Sequence, residues 1–285
     1  MQEIAFDVDG LKLTGWLRPR IGAASASLFC LHGWLDNAAS FLPLSDHLRN
    51  FDWTALDLSG HGLSAHKSVG TGDYHVIDWA LEVAQVLALQ GGPARVLVGH
   101  SLGAGIAGLV AALVPERVRG VVFLDGFAPL SAEADVFIDR GRTFLAERAG
   151  VPRANRTFAT FDAIVAQRAV NGGLSETSSR ILMERACLKS GAKGSVAIAS
   201  DPNLKRTSPF RLTFAHLRAA LERIECPVLL IDFGNAHFQR PAALHAELVA
   251  AVRNVTVVNE TGGHHLHMDD PGRVAPHIQR FLARL

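Results

Sequence analysis

Apolar and polar positions alternate over residues 3–8 and again over 12–17, with Asp9-Gly10 between them. Alternation of period two buries one face of a strand, and Asp-Gly is a pair that closes two-residue hairpins, so the chain is read as opening on a β-hairpin. Beyond it the pattern becomes one of continuous apolar runs of strand length, at 27–31, 53–58, 95–98, 118–124, 228–233 and 255–258. Strands buried on both faces have this pattern, as in a parallel sheet covered by helices. Between the runs, apolar residues recur at intervals of three and four, which predicts helices over 74–90 and 271–285.

Between the strands ending at Leu124 and starting at Val228 lie roughly a hundred residues of helical periodicity, against about 10–15 for an ordinary crossover. This predicts an inserted helical cap at 127–210 on a core made of 1–126 and 211–285. Helices are expected near 133–149, 158–170 and 176–188, stopped by Gly150, by Asn171-Gly172-Gly173 and by Gly191.

Composition narrows the class. Apolar residues make up 48% of the chain and charged residues 19%, the balance of a packed globular protein. A formal net charge of +1 supplies no basic footprint for nucleic acid. Cys30, Cys187 and Cys226 form neither a metal knuckle nor a disulfide framework, and the first nine residues have no basic segment followed by an apolar run. A cytoplasmic setting is the expectation. The most apolar stretch, 96–114, is interrupted by His100, Ser101 and several glycines, so no membrane span is expected.

The chemistry starts at Gly99-His100-Ser101-Leu102-Gly103, which follows the 95–98 strand and opens a helical pattern. Gly-x-Ser-x-Gly between strand and helix is a nucleophile elbow, a tight turn that strains the serine backbone and lifts its hydroxyl above the sheet. A rival pattern overlaps it: Gly103 to Gly108 reads Gly-x-Gly-x-x-Gly, with Asp125 about twenty residues on, like a dinucleotide site. In such a site the first glycine turns the chain directly after the strand. Here Gly99 to Ser101 occupy that turn, and Gly105 and Gly108 are better explained by close helix packing.

His32-Gly33-Trp34 follows the 27–31 strand, and with it the chain resembles the α/β-hydrolase fold family over nearly the whole core. The resemblance implies a mostly parallel sheet with helices on both faces and an inserted helical cap. It also implies an oxyanion hole from the backbone N–H groups of Trp34 and Leu102, with His32 bracing the loop. Gly262-Gly263-His264 stands after the last strand, where the family delivers its general base. A metal cluster of His264, His265, His267 and Asp269 is the alternative, although one flexible loop rarely supplies a whole site. His267 and Asp269 are expected to support the loop.

The acid departs from the commonest family pattern, which places a carboxylate shortly after the 228–233 strand. Asn235, Ala236 and His237 stand there. Asp125 is then the expected acid, as in those family members that place it after the preceding strand, and Asp232 is the alternative. Asp57 is expected to be structural, and Asp36 to cap a helix beginning near Asn37. The implied activity is serine-dependent hydrolysis of a small-molecule ester, with no metal or organic cofactor. An acyltransferase or carbon–carbon bond hydrolase on the same triad, or a silent ligand-binding member, are the alternatives. Tyr74 is the sole tyrosine and precedes the cap, which disfavours epoxide opening. Residues 131–206 hold 12 basic and 8 acidic groups, so the cap is only mildly positive, and Phe127, Phe137, Phe144, Phe158 and Phe161 are the expected contributors to specificity. The oligomeric state is left open.

Overall fold

The computed structural model describes residues 1–22, 26–67, 73–150, 154–189, 194–235 and 241–285. Strands β1 (Gln2–Val8) and β2 (Leu11–Arg18) form the expected hairpin, paired from Val8↔Leu11 to Gln2↔Leu17. Its turn residues Asp9 and Gly10 both have positive φ, 53° and 81°, and Asp7 accepts the Gly10 N–H at 2.8 Å. There follow β3 (Ser27–Leu31), α1 (Leu42–His47), β4 (Asp52–Leu56), α2 (Val76–Gln90), β5 (Arg95–His100), α3 (Leu102–Leu113) and β6 (Val118–Leu124).

After β6 the chain leaves the sheet. It forms α4 (Phe137–Ala149), β7 (Thr157–Phe158), α5 (Phe161–Gly172), α6 (Glu176–Ala186), β8 (Cys187–Lys189) and β9 (Val196–Ile198). It returns through α7 (Phe214–Leu221) to β10 (Val228–Asp232), α8 (Ala242–Ala251), β11 (Val255–Asn259), the short α9 (Leu266–Asp269) and α10 (Pro271–Leu282).

The eight-stranded sheet runs β1-β2-β4-β3-β5-β6-β10-β11; β1, β2 and β4 pair antiparallel and every later pair is parallel. Successive side chains of a strand point to opposite faces, and here both faces are apolar. Phe29 and Leu97 pack with α2 and α3, whereas Leu28, Cys30, Val96 and Val98 pack with α1 and α10. Among the described residues no helix is long and apolar enough to cross a membrane.

Two sequence expectations change in the 127–210 segment. Its helices are accompanied by a three-stranded antiparallel sheet, β7-β9-β8, so the helix expected from residue 158 starts at Phe161 and the one expected through 188 ends at Ala186. Thr160 sets the first boundary by accepting the Ala163 N–H, and extended backbone at Cys187 sets the second. Strands of two or three residues are too short for a period to register. Gly191 lies outside the described residues.

The segment has a small core of its own, Ile164, Val165, Leu174, Leu182, Met183, Ala186 and Val196, which Met268 of α9 completes. Buried ions fasten it to the sheet. Arg185 of α6 reaches Asp57 Oδ2 at 2.9 Å and Glu3 Oε1 at 2.7 Å. Asp57 is fully buried and also accepts the Ala38 and Leu63 N–H groups and the Thr14 hydroxyl, the structural role expected of it. Removing one partner of a buried pair leaves the other charge uncompensated. Arg185→Ala is therefore expected to lower unfolding free energy by about 3–5 kcal/mol in urea titrations, with little change for Arg180→Ala, whose partners Asp162 and Glu176 are exposed.

Candidate active site

The carboxyl ends of β3, β5 and β6, three neighbouring parallel strands, each lead into a residue forced to positive φ: Leu35 at 62°, Ser101 at 52° and Asp125 at 48°. Strain of this kind costs about 1–3 kcal/mol per residue and persists only where the surroundings dictate it. Here they do. A Cβ at Gly103 would run into the Leu31 carbonyl, and one at Gly99 into that of Gly103, so helix and strands meet backbone to backbone. The Ser101 N–H donates to the Leu124 carbonyl at 3.0 Å, which fixes the turn against β6. Leu102 is the first helical residue, so its N–H has no intrahelical acceptor.

Asp125 ends β6 with its side chain fully shielded. Its Oδ1 accepts the N–H groups of Phe233 at 2.9 Å and Asn235 at 3.4 Å, and its Oδ2 meets His264 Nδ1 at 2.5 Å. Burial works to raise this carboxyl, but the hydrogen bond and charge of His264, with the Phe233 N–H, outweigh it and hold it below its ordinary range. Asp232 is instead engaged in its own turn, accepting the Gly234 N–H at 2.7 Å with His245 at 3.9 Å. The structure thus brings Asp125 to His264. His237 and Ala236 lie outside the described residues.

Trp34 is half-exposed on the loop after β3, which is closed by the Asp36 N–H donating to Gly33 O at 3.1 Å. His32 braces it as expected: its Nε2 accepts the Leu58 N–H at 3.0 Å, so Nδ1 carries the proton given to Gly33 O at 2.7 Å. Asp36 does not cap a helix. Asn37 takes that position, accepting the Ala39 N–H, and Asp36 is buried against Arg168 of α5, His265 and His100. Burial works to raise Asp36, and His265, His100 and Arg168 together hold it well below the usual carboxylate range. No local pattern in the sequence shows these contacts, because one partner is 64 residues on and another 229.

Among the described residues the four of the alternative metal cluster do not meet as one set of donor atoms, although the His264 and His265 rings lie 5.4 Å apart and those of His265 and His267 6.1 Å. His264 faces Asp125, and Asp269 accepts the Ser175 N–H at 3.1 Å, tying the loop to the 127–210 segment. His267 is buried beneath His100, ring centroids 4.3 Å apart. Phe127 and Phe144 are buried, Phe158 and Phe161 pack on the segment's own core, and Phe137 meets Phe210 edge to face at the surface.

A serine on a strained turn after a central parallel strand, with a histidine delivered beyond the last strand, is the arrangement of the α/β-hydrolase class. The model of the alpha/beta hydrolase family matches residues 28–277, and the chain belongs to that family. It is 30% identical to a probable serine hydrolase of Drosophila melanogaster, covering 90% of this chain and 80% of that protein. A serine hydrolase-like protein of Dictyostelium discoideum is also 30% identical, over 91% of this chain and 75% of that one. The crystal structure of a hypothetical protein from Pseudomonas aeruginosa, 30% identical, superposes with a TM-score of 0.87 over 99% of this chain and all of that one.

Burial above all lowers the ring pKa values of His32, His61, His100 and His267, to about 3 for His61 and about 4 for His100. In the unfolded chain such rings titrate near ~6.5. Below that pH the unfolded state takes up protons that the folded state refuses, so stability is full above ~6.5 and falls as pH drops toward the folded values. Urea midpoints are expected to hold steady from about pH 7 upward and to fall steeply between about 6.5 and 4. A flat profile across that window would show that the rings are not held neutral.

Proposed function

We propose that the chain is a serine hydrolase of small carboxylic esters, with Ser101 as nucleophile, His264 as general base and Asp125 as the orienting acid. The observation that carries this reading is the His264 Nδ1 to Asp125 Oδ2 hydrogen bond of 2.5 Å. It fixes the Nδ1–H tautomer and leaves Nε2 unprotonated, the form that can accept the Ser101 proton. Ser101 Oγ attacks the ester carbonyl carbon, and the oxyanion is held by the Trp34 and Leu102 N–H groups. Each such donor is worth about 3–4 kcal/mol in the transition state. His264 passes the proton to the departing alcohol, leaving an acyl-enzyme. It then takes a proton from water, whose oxygen attacks the acyl carbon, and returns it to Ser101 as the acid leaves. The 127–210 segment is read as the cap over this site. Relatives named for serine hydrolase activity support the reading.

Ser101→Ala is expected to lose about 10⁶-fold in kcat and to lose fluorophosphonate labelling, with His264→Ala similar. Asp125→Asn should lower kcat about 10⁴-fold and Asp232→Asn far less. The reverse ranking would transfer the acid role to Asp232, and full activity of Ser101→Ala would end the proposal.

The cap is expected to select neutral acyl groups of limited length. With p-nitrophenyl esters of two to twelve carbons, kcat/KM should rise with each methylene, by at most about 0.8 kcal/mol, and fall once the roof is reached. Preference for a succinyl ester would implicate the cap arginines instead, and efficient peptide cleavage would mean an unroofed site.

A further inference from the structure

Beside His264 lies a second group of side chains that this reaction does not use, and counting its protons exposes a gap. The His264 carbonyl can only accept, so His100 Nε2 carries the ring proton donated to it at 2.8 Å. A neutral His100 then has a lone pair on Nδ1, and that atom stands 3.6 Å from Asp36 Oδ2. Two acceptors face each other there. His265 Nε2–H donates to the same carboxylate oxygen at 3.2 Å, and its unpartnered Nδ1 can take that proton when Nε2 binds an ion. Among the described residues, His100 Nδ1, His265 Nδ1 and both ring nitrogens of the buried His267 have no hydrogen-bond partner. Gly33 keeps the gap open, since a Cβ there would lie 2.8 Å from Asp36 Oδ2 and 2.9 Å from His100 Nδ1.

We infer that Asp36 Oδ2, His100 Nδ1 and His265 Nε2 bind one divalent transition-metal ion. One ligand atom from each of the three residues lies within 4.8 Å of the others, and Asp36 Oδ2 stands 3.6 Å from His100 Nδ1 and 3.2 Å from His265 Nε2. Bonds of about 2.0–2.2 Å in tetrahedral geometry set ligand atoms roughly 3.3–3.6 Å apart, close to the two separations from Asp36 Oδ2. Two imidazoles and a carboxylate suit zinc, cobalt or nickel, whereas magnesium and calcium take oxygen donors. Outer partners are already in place: His100 gives its other N–H to a backbone carbonyl, and Arg168 holds Asp36 Oδ1. The Arg168 charge opposes the ion, so affinity is expected on the order of micromolar, weaker than a structural zinc site. This set shares only His265 with the alternative cluster read from sequence. His264 stays with Asp125, and the ion would sit one residue from the proposed base.

The test is a Co²⁺ titration of the whole chain followed by visible absorption, with Zn²⁺ as competitor and circular dichroism to check each variant. This reads coordination without turnover. One Co²⁺ per chain is expected to give a four- or five-coordinate band. Asp36→Asn and His265→Leu should each weaken binding more than about tenfold, and His264→Ala should leave it intact. Arg168→Gln keeps a donor for Asp36 but removes the charge, and should tighten binding. No band in the unmodified protein, or a band that survives both ligand substitutions, would overturn the inference. So would loss of the band in His264→Ala, which would place the ion on the proposed base, or binding indifferent to Arg168→Gln.

Discussion

Gly99 and Gly103 let α3 lie against β3 and β5 with backbone touching backbone, and a side chain on either would strike a carbonyl. That approach leaves the chain no relaxed path from strand to helix, so the strain falls on Ser101. The same sheet edge takes up strain at Leu35 and Asp125. Three neighbouring strands thus end in backbone that ordinary side chains avoid. The core secures this edge: Phe29, Leu97 and Phe123 on one face and Leu28, Val98 and Leu124 on the other hold the strands in register. Stability stored in ordinary packing is what keeps the unusual geometry in being.

Around this edge the carboxylates are well partnered. Asp125 satisfies one oxygen with backbone N–H groups of the β10 turn and the other with His264, and Asn235 extends the tie by donating to Gly262 O at 2.9 Å. Asp57 and Asp36 do comparable work for the loops after β4 and β3, each receiving an arginine from the 127–210 segment. Asn37 adds a bond to the Leu182 carbonyl, and Tyr74 donates to Asp201 at 2.7 Å. The segment is therefore pinned at several buried points spread over its length.

Much of this was legible in the residues. Continuous apolar runs located the strands of the eight-stranded sheet from β3 onward, because most of them are covered on both faces and have no polar side to show. The hairpin was readable from two alternating segments around Asp9-Gly10, and the elbow from glycine spacing beside a strand. Asp125 could be singled out once no carboxylate was found at 235–237. Asp36 could not be read, since an aspartate before Asn-Ala-Ala resembles a cap, and only the fold brings it to Arg168 and His265. The strands β7 to β9 were hidden for a different reason: two or three residues carry no period, and their pairing is set by the segment's own core.

Met268 belongs to the short helix that follows His264, yet it completes the core of the 127–210 segment, and Asp269 beside it holds the Ser175 N–H. The 127–210 segment and the loop carrying His264 are thus one mechanical unit, although the sequence separates them by the last two strands of the sheet. A segment grafted from a relative would arrive with a hollow shaped for someone else's methionine, and the first residue to lose its footing would be the histidine four positions before it. A replacement of the segment would therefore have to bring a matching loop with it, because the two share one core.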